Sequence, residues 1–255
     1  MNVTRGRGTT LVLGASLLAL AFFGCAEDKA LRKRQAQAKQ DLGRSLLVQG
    51  NYTAGLGKLH EAAKIDPDNP QIQNELGLAY REIEMYPEAI THFKKAVELD
   101  PDFSEAYNNL GTVYLILKKW DLAITCFRHA LENNLYETPH FAYHNLGLVY
   151  YHKGEFQKAI ECYQKAVQMQ PSYSRSYHHM GIAFEALNQW EKAIERYKQS
   201  IRHAPENPVS YFYLGRLYRK LNMPTLAARN LRETIRLNKQ NIYAPEARRL
   251  LSEVE

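Results

Sequence analysis

The chain has 255 residues, 45% of them hydrophobic and 24% charged, with a formal net charge of +6. That balance excludes a disordered or fibrous polypeptide and leaves enough apolar material for a sizeable core. With Arg5 and Arg7 removed the charge falls by two, to +4, too modest by itself to name a polyanionic partner.

Arg5 and Arg7 precede an apolar run from Leu11 to Phe23, and no acidic residue occurs before Glu27. These are the n-region and h-region of a signal peptide, assigned to residues 1–24; the run is too short to span a bilayer comfortably as a permanent helix. It ends in Phe22-Phe23-Gly24-Cys25, which resembles the lipobox of bacterial lipoproteins, where the Cys thiol is lipidated and the chain is cut just before it. Leu is usual where Phe22 stands. The alternative is ordinary cleavage after Ala19-Leu20-Ala21, which leaves Cys25 a free thiol in a soluble periplasmic protein. The resemblance implies lasting anchorage through several acyl chains. Ala26, in place of the Asp that retains lipoproteins at the inner membrane, implies the outer membrane. Residues 25–35 follow as the lipidated Cys and a charged tether or helix extension, with no Pro or Gly to break it. Basic residues there would face solvent or meet anionic head groups, at about 1 kcal/mol each.

From residue 36 to about 240 the sequence repeats itself. A glycine after an apolar residue recurs as Gly43, Gly77, Gly111, Gly147, Gly181 and Gly215, at steps of 34, 34, 36, 34 and 34. Three residues on stand Leu46, Tyr80, Tyr114, Tyr150, Phe184 and Tyr218. Twelve on stand Gly55, Ala89, Ala123, Ala159, Ala193 and Ala227. Sixteen on stand Leu59, Phe93, Phe127, Tyr163, Tyr197 and Leu231. The stretch Tyr143 to Pro171 is the clearest copy: two amphipathic helices, broken at Lys153-Gly154-Glu155 and stopped by Pro171. This unit resembles the tetratricopeptide repeat, which implies an all-α, right-handed superhelical solenoid of six helix–turn–helix repeats. Small residues let the paired helices cross closely, and large ones fill the space beside them. Most of the 17 tyrosines are thereby packing residues. Closing prolines stand at Pro67, Pro101, Pro171 and Pro205; the one expected at Leu135 comes late, at Pro139, and Pro224 is read as the mark of repeat six. Repeat one is the weakest copy. Residues 241–255 are expected to form a capping helix, Tyr243 to Val254, whose Arg248, Arg249 and Glu253 face the exposed end of the stack.

Nothing in the chain assembles a catalytic centre. The glycines follow the repeat instead of clustering into a phosphate loop, and no G-x-S-x-G elbow is present. Nine histidines occur without a Cys pair or HExxH motif, so no metal and no cofactor is expected. Cys126 and Cys162 fill one slot in successive repeats, too far apart for a disulfide, and are expected to be buried thiols. The chain is therefore read as a non-enzymatic interaction protein.

In tetratricopeptide repeats the first helix of each pair lines the concave groove. The resemblance places Gln40, Asn74, Asn108, His144, His178 and Phe212 in one row of it, three before each glycine. Further rows, one, four and five after, include Leu115, Ile116, Leu148, Tyr151 and Ile182. Asn74, Asn108, Leu115, Ile116, His144, Leu148, Tyr151, His178 and Ile182 form the candidate partner-binding groove. Its apolar middle either captures a partner's peptide or helix, or packs between repeats. The residues of the chaperone-binding carboxylate clamp are not reproduced. Repeat six is locally basic, which suits an acidic partner; an exported chain does not ordinarily meet nucleic acid.

The 36-residue step runs through Asn133-Asn134-Leu135-Tyr136-Glu137-Thr138-Pro139. Together with six repeats and the lipobox-like Cys25, it resembles the pilotin lipoproteins of type IV pili. That resemblance covers the mature chain and implies a protein on the inner leaflet of the outer membrane, assisting a secretin to reach the membrane and assemble. A generic lipoprotein adaptor for peptidoglycan enzymes or outer-membrane assembly machinery is the alternative.

Overall fold

The computed structural model describes the backbone of residues 10–237 and 242–255, and the side chains of 29–237 and 242–255. Arg5, Arg7 and the Cys25 side chain lie outside the described residues. Among those described, all regular structure is helical: α1 (Thr10–Val48), α2 (Tyr52–Ile65), α3 (Pro70–Glu82), α4 (Tyr86–Leu99), α5 (Ser104–Ile116), α6 (Trp120–Glu132), α7 (Pro139–His152), α8 (Phe156–Met169), α9 (Ser174–Ala186), α10 (Trp190–His203), α11 (Pro208–Lys220), α12 (Pro224–Leu237) and α13 (Ala244–Ser252). No helix among the described residues is long and apolar enough to cross a membrane. The chain divides into two compact units, residues 1–106 and 107–255.

The turn inside every repeat is built the same way. The residue seven after each motif glycine is left-handed, with φ of +78° at Gly50, +62° at Glu84, +57° at Lys118, +78° at Gly154, +56° at Asn188 and +58° at Asn222. The next amide donates back to the carbonyl of the residue three after the glycine, as in Met85 N to Tyr80 O and Glu155 N to Tyr150 O, both 2.9 Å. This Schellman closure satisfies carbonyls that the end of a helix would otherwise leave bare.

Between repeats, Asp66, Asp100, Gln170 and Ala204 end the second helices, and the proline that follows each one cannot extend them. Asn69 and Asn207 cap α3 and α11. Asn69 Oδ1 accepts from the amides of Gln71 and Ile72, and Asn207 Oδ1 from that of Val209. Two prolines differ from their expected role. Pro139 and Pro224 are the first residues of α7 and α12, where a missing amide costs nothing; they open helices and do not close repeats.

The motif glycines are fixed by close approach. A Cβ at Gly147 or Gly181 would lie 2.5 Å from a ring carbon of Tyr163 or Tyr197, and one at Gly111 2.7 Å from Phe127. The glycine of the first helix and the large residue sixteen later are thus a single contact, the ring lying flat on bare backbone.

In residues 1–106 the core is Ala36, Leu59, Ala62, Ile72, Leu76 and Ala79, with Phe93 buried between α3 and α4. The weak first repeat uses the same device with other residues: a Cβ at Gly55 would meet Leu47 at 2.7 Å, and one at Gly43 would meet Leu59 at 2.9 Å. The segment Glu27–Lys39 belongs to α1, so it is a helix extension and not an irregular tether. In residues 107–255 the repeated helix pairs stack in order, and Phe212 and Leu231 pack against Ala247 and Leu250 of α13. The two extra residues of the 36-residue step lie between α6 and α7. Tyr136 is buried there with Ala130 and Ala142, while Leu135 is 86% exposed.

Candidate functional site: the first-helix face

The nine expected groove residues separate by register. Asn74, in the first unit, is buried. In the second unit His144 and His178 are only 5% and 8% exposed. At His144 and His178 this row therefore lies at the joint between repeats and not on an open surface, while Asn108 in the same row is half-buried. The rows one, four and five after the glycine reach the surface: Leu115, Leu148, Tyr151 and Ile182 are half-buried, and Ile116 is 47% exposed. Phe141, Tyr173 and His140 form an aromatic cluster at the first turn of α7 and the cap of α9, with Phe141 meeting Tyr173 edge-on at 5.5 Å.

Polar groups at the joints are tied across repeats. Asn145 Nδ2 donates to Asn108 Oδ1 (3.1 Å) and Thr112 Oγ1 (3.3 Å). His144 Nδ1 lies 2.9 Å from Ser176 Oγ, and His178 Nδ1 lies 3.0 Å from Ser210 Oγ. Ser210 Oγ donates to Ser200 Oγ (2.8 Å), which donates to the Ser174 carbonyl (3.0 Å). With the Ser210 proton spent on Ser200, His178 must be the donor, which places its proton on Nδ1. Burial depresses these imidazoles: His178 is pushed down to about 3 and His179 to about 4, with neighbouring cationic groups adding to the effect, and His144 falls well below its ordinary value. They are neutral packing groups, and His144 and His178 meet the tyrosine rings tilted or edge-on. His144 lies 5.5 Å from Tyr163, and His178 lies 4.8 Å from Tyr213.

Above the joint between repeats five and six, charge is organised. Tyr197 Oη donates to Glu185 Oε1 at 2.5 Å, Glu185 Oε2 lies 3.6 Å from Arg216, and the Arg216 guanidinium stacks 4.5 Å over Tyr213. Tyr151 is close enough to feel Glu185, Tyr213 and Arg216, which puts α7, α9 and α11 on one face. The equivalent tyrosine one repeat earlier, Tyr163, has a buried hydroxyl with no hydrogen-bond partner among the described residues.

Sequence reasoning missed this Glu185–Tyr197 bond and both serine partners. The serines carry a readable signal, because each follows a row histidine by 32 residues, where Ala106 and Ala142 follow Asn74 and Asn108 by 32 and 34.

Cys126 and Cys162 are buried and form no disulfide among the described residues, and burial pushes Cys162 up to about 11. Among the described residues no three His, Cys, Asp or Glu side chains gather as a metal would require. What the face offers is half-buried apolar side chains, aromatic edges and one fixed Glu–Arg pair. These are means of binding another chain.

Tetratricopeptide-repeat profiles match residues 102–172, 140–206 and 179–242, and a TPR-repeat profile matches 77–118. No curated protein matches the chain significantly in sequence. Among solved structures, PilF of Pseudomonas aeruginosa is similar at 21% identity, over 86% of this chain and 98% of that one, with a TM-score of 0.74. PilW, described as a widely conserved type IV pilus biogenesis factor, is similar at 18% identity over 86% and 97%, with a TM-score of 0.75. MamA of Desulfovibrio magneticus RS-1 is similar at 25% identity over 66% and 94%, with a TM-score of 0.59.

Proposed function

The chain belongs to the tetratricopeptide-repeat family, whose members are generally protein-binding scaffolds, and from that premise we propose that it is a pilotin-like lipoprotein assisting secretin targeting and assembly in type IV pilus biogenesis. The observation that carries this reading is the likeness in fold to PilF and PilW over nearly their whole lengths. The Gly24-Cys25 ending of the apolar run and the 36-residue step support it from the sequence.

In this reading residues 1–24 are removed and Cys25 is lipidated. The repeats then lie in the periplasm, anchored to the outer membrane. Anchoring raises the local concentration of a bound secretin subunit at its target membrane. Leu115, Ile116, Leu148, Tyr151 and Ile182 cover an aggregation-prone apolar segment of that subunit until contacts within the ring replace them. His144, His178 and the asparagines hold the repeats in register beneath that surface and do not touch the partner.

The test combines intact mass of the membrane-extracted protein with a count of secretin rings in cells carrying Cys25→Ala or Leu148→Glu. Acylated Cys25, and rings lost in both variants, is the expected result. Normal rings and pili after deletion of the protein would overturn the proposal.

A further inference from the structure

The basic residues of repeats five and six are numerous, and internal pairing sorts them. Arg219 pairs with Glu253, Arg232 with Glu255 at 2.5 Å, Arg236 with Glu233 at 2.8 Å, and Arg249 with Glu246 at 2.5 Å. Lys220 lies 4.0 Å over the Trp190 ring. Lys198, Arg202 and Arg229 form no ion pair among the described residues, and all three are exposed.

These three converge. They edge an open cleft of about 610 Å³ between α10, α11 and α12, with Ile201, Leu214 and Leu226 contributing apolar lining. Lys198 and Arg202 stand one turn apart on α10, and Arg229 faces them from α12. The one carboxylate in the lining, Glu233, is already held by Arg236, and Tyr211 adds a hydroxyl.

The same register two repeats earlier provides an internal contrast. A cleft of about 450 Å³ between α6, α7 and α8 is also edged by three cations, Arg128, Lys158 and Lys165. There each cation is engaged: Arg128 donates to Tyr150 Oη at 3.1 Å, Lys158 pairs with Glu155 at 2.5 Å, and Lys165 lies 5.5 Å over Tyr143. Glu132 and Glu161 line it as well. Repeat architecture thus makes the cleft, and sequence leaves only the later one with unspent positive charge.

We propose that the α10–α11–α12 cleft docks an acidic segment of a protein partner, its carboxylates meeting Lys198, Arg202 and Arg229 while an aliphatic or aromatic side chain enters the apolar floor. Unpaired cations on both edges supply the charge complementarity, and the recessed floor favours a chain that alternates acidic with apolar groups over a bare phosphate backbone. This surface is formed by the second helices of repeats five and six with α11 between them. It does not depend on the secretin reading.

The probe is a short fluorescein-labelled peptide alternating Glu with Leu, followed by anisotropy on the purified soluble chain, with phosphatidylglycerol vesicles in a parallel assay. The combined variant Lys198→Glu, Arg202→Glu, Arg229→Glu is expected to weaken peptide binding at least about tenfold. The charge-matched variant Arg128→Glu, Lys158→Glu, Lys165→Glu leaves it within about twofold. Replacing Glu by Gln, or Leu by Ser, in the peptide should each weaken binding. Circular dichroism confirms that both variants stay folded. Equal losses in the two variants, no saturable binding, or vesicle binding that alone depends on the cleft would each overturn the proposal.

Discussion

Repeats four and five, α7–α8 and α9–α10, are built on one plan although most of their aligned residues differ. Both place a histidine three before the glycine and a tyrosine sixteen after it, with the ring lying on the glycine. Four after the glycine, repeat four has Tyr151 and repeat five has Glu185. That one difference decides the fate of the buried tyrosine hydroxyl. Tyr197 donates a hydrogen bond to Glu185, whereas Tyr163 has no acceptor among the described residues. The shared positions specify the fold, and the difference specifies the surface: a charged, anchored patch over repeats five and six, and a more apolar one over repeat four.

The largest expected effect tests what the two repeats share. His178 is neutral when folded because burial pushes it down to about 3, against an ordinary 6.5. The unfolded chain therefore takes up the proton first as the pH falls. Stability is fully present above about 6.5 and is lost progressively toward 3. Between pH 7 and pH 5, His178 alone should cost about 2 kcal/mol. His144 and His179 shift in the same direction. Chemical denaturation at the two pH values should show this slope. It should become shallower in His178→Asn, which installs the residue that repeats two and three carry at this register. An unchanged slope in that variant would show that His178 does not carry the acid sensitivity.

The hydroxyl contrast should be smaller and opposite in sign across the two repeats. Tyr197→Phe removes the donor to a half-buried carboxylate and is expected to cost about 1–2 kcal/mol. Tyr163→Phe removes a buried hydroxyl that has no hydrogen-bond partner among the described residues, so it should be neutral or stabilising by up to about 1 kcal/mol. Both variants keep the ring against the glycine, so packing is held constant and thermal melts can be compared directly. A loss of similar size in both would mean that the Glu185 bond contributes nothing distinctive.

This pair also marks how far the sequence could be read. The helix pairs, the register from Gly43 to Gly215 and the burial of Cys126 and Cys162 follow from periodicity, because each needs only a side chain's size and its place on a helix. The burial of the candidate groove residues was legible only in part. Leu148, Tyr151 and Ile182 lie half-buried where the repeat register puts them, but His144 and His178 are buried as well. The row three before the glycine was placed in the groove by the resemblance alone. Ser176 and Ser210, which satisfy the two imidazoles, lie in the following repeat and not in the same one. Periodicity predicts which face a residue occupies. It does not predict whether the next repeat will cover it. Pro139 and Pro224 misled for a related reason, since a proline marks a helix boundary without saying on which side of it the helix lies.

The smallest effect lies in the turn. Repeat four uses Gly154 at its left-handed position, φ +78°, and repeat five uses Asn188, φ +56°. Glycine adopts that conformation without steric penalty, and asparagine tolerates it better than other residues with a Cβ. Gly154→Ala should therefore cost about 1 kcal/mol, while Asn188→Gly should change stability by only a few tenths. Lys118, at the same place in repeat three with φ +57°, has neither advantage. Lys118→Gly should stabilise by up to about 1 kcal/mol, minus the entropy of a freer unfolded chain. A cleft or groove explanation predicts no such ranking, because no Cβ at Gly154 would meet another atom within 4 Å. The order Lys118→Gly above Asn188→Gly above Gly154→Ala in melting temperature isolates backbone conformation as the cause. Equal melting temperatures would mean that the Schellman bonds, and not the left-handed residue, set the stability of these turns.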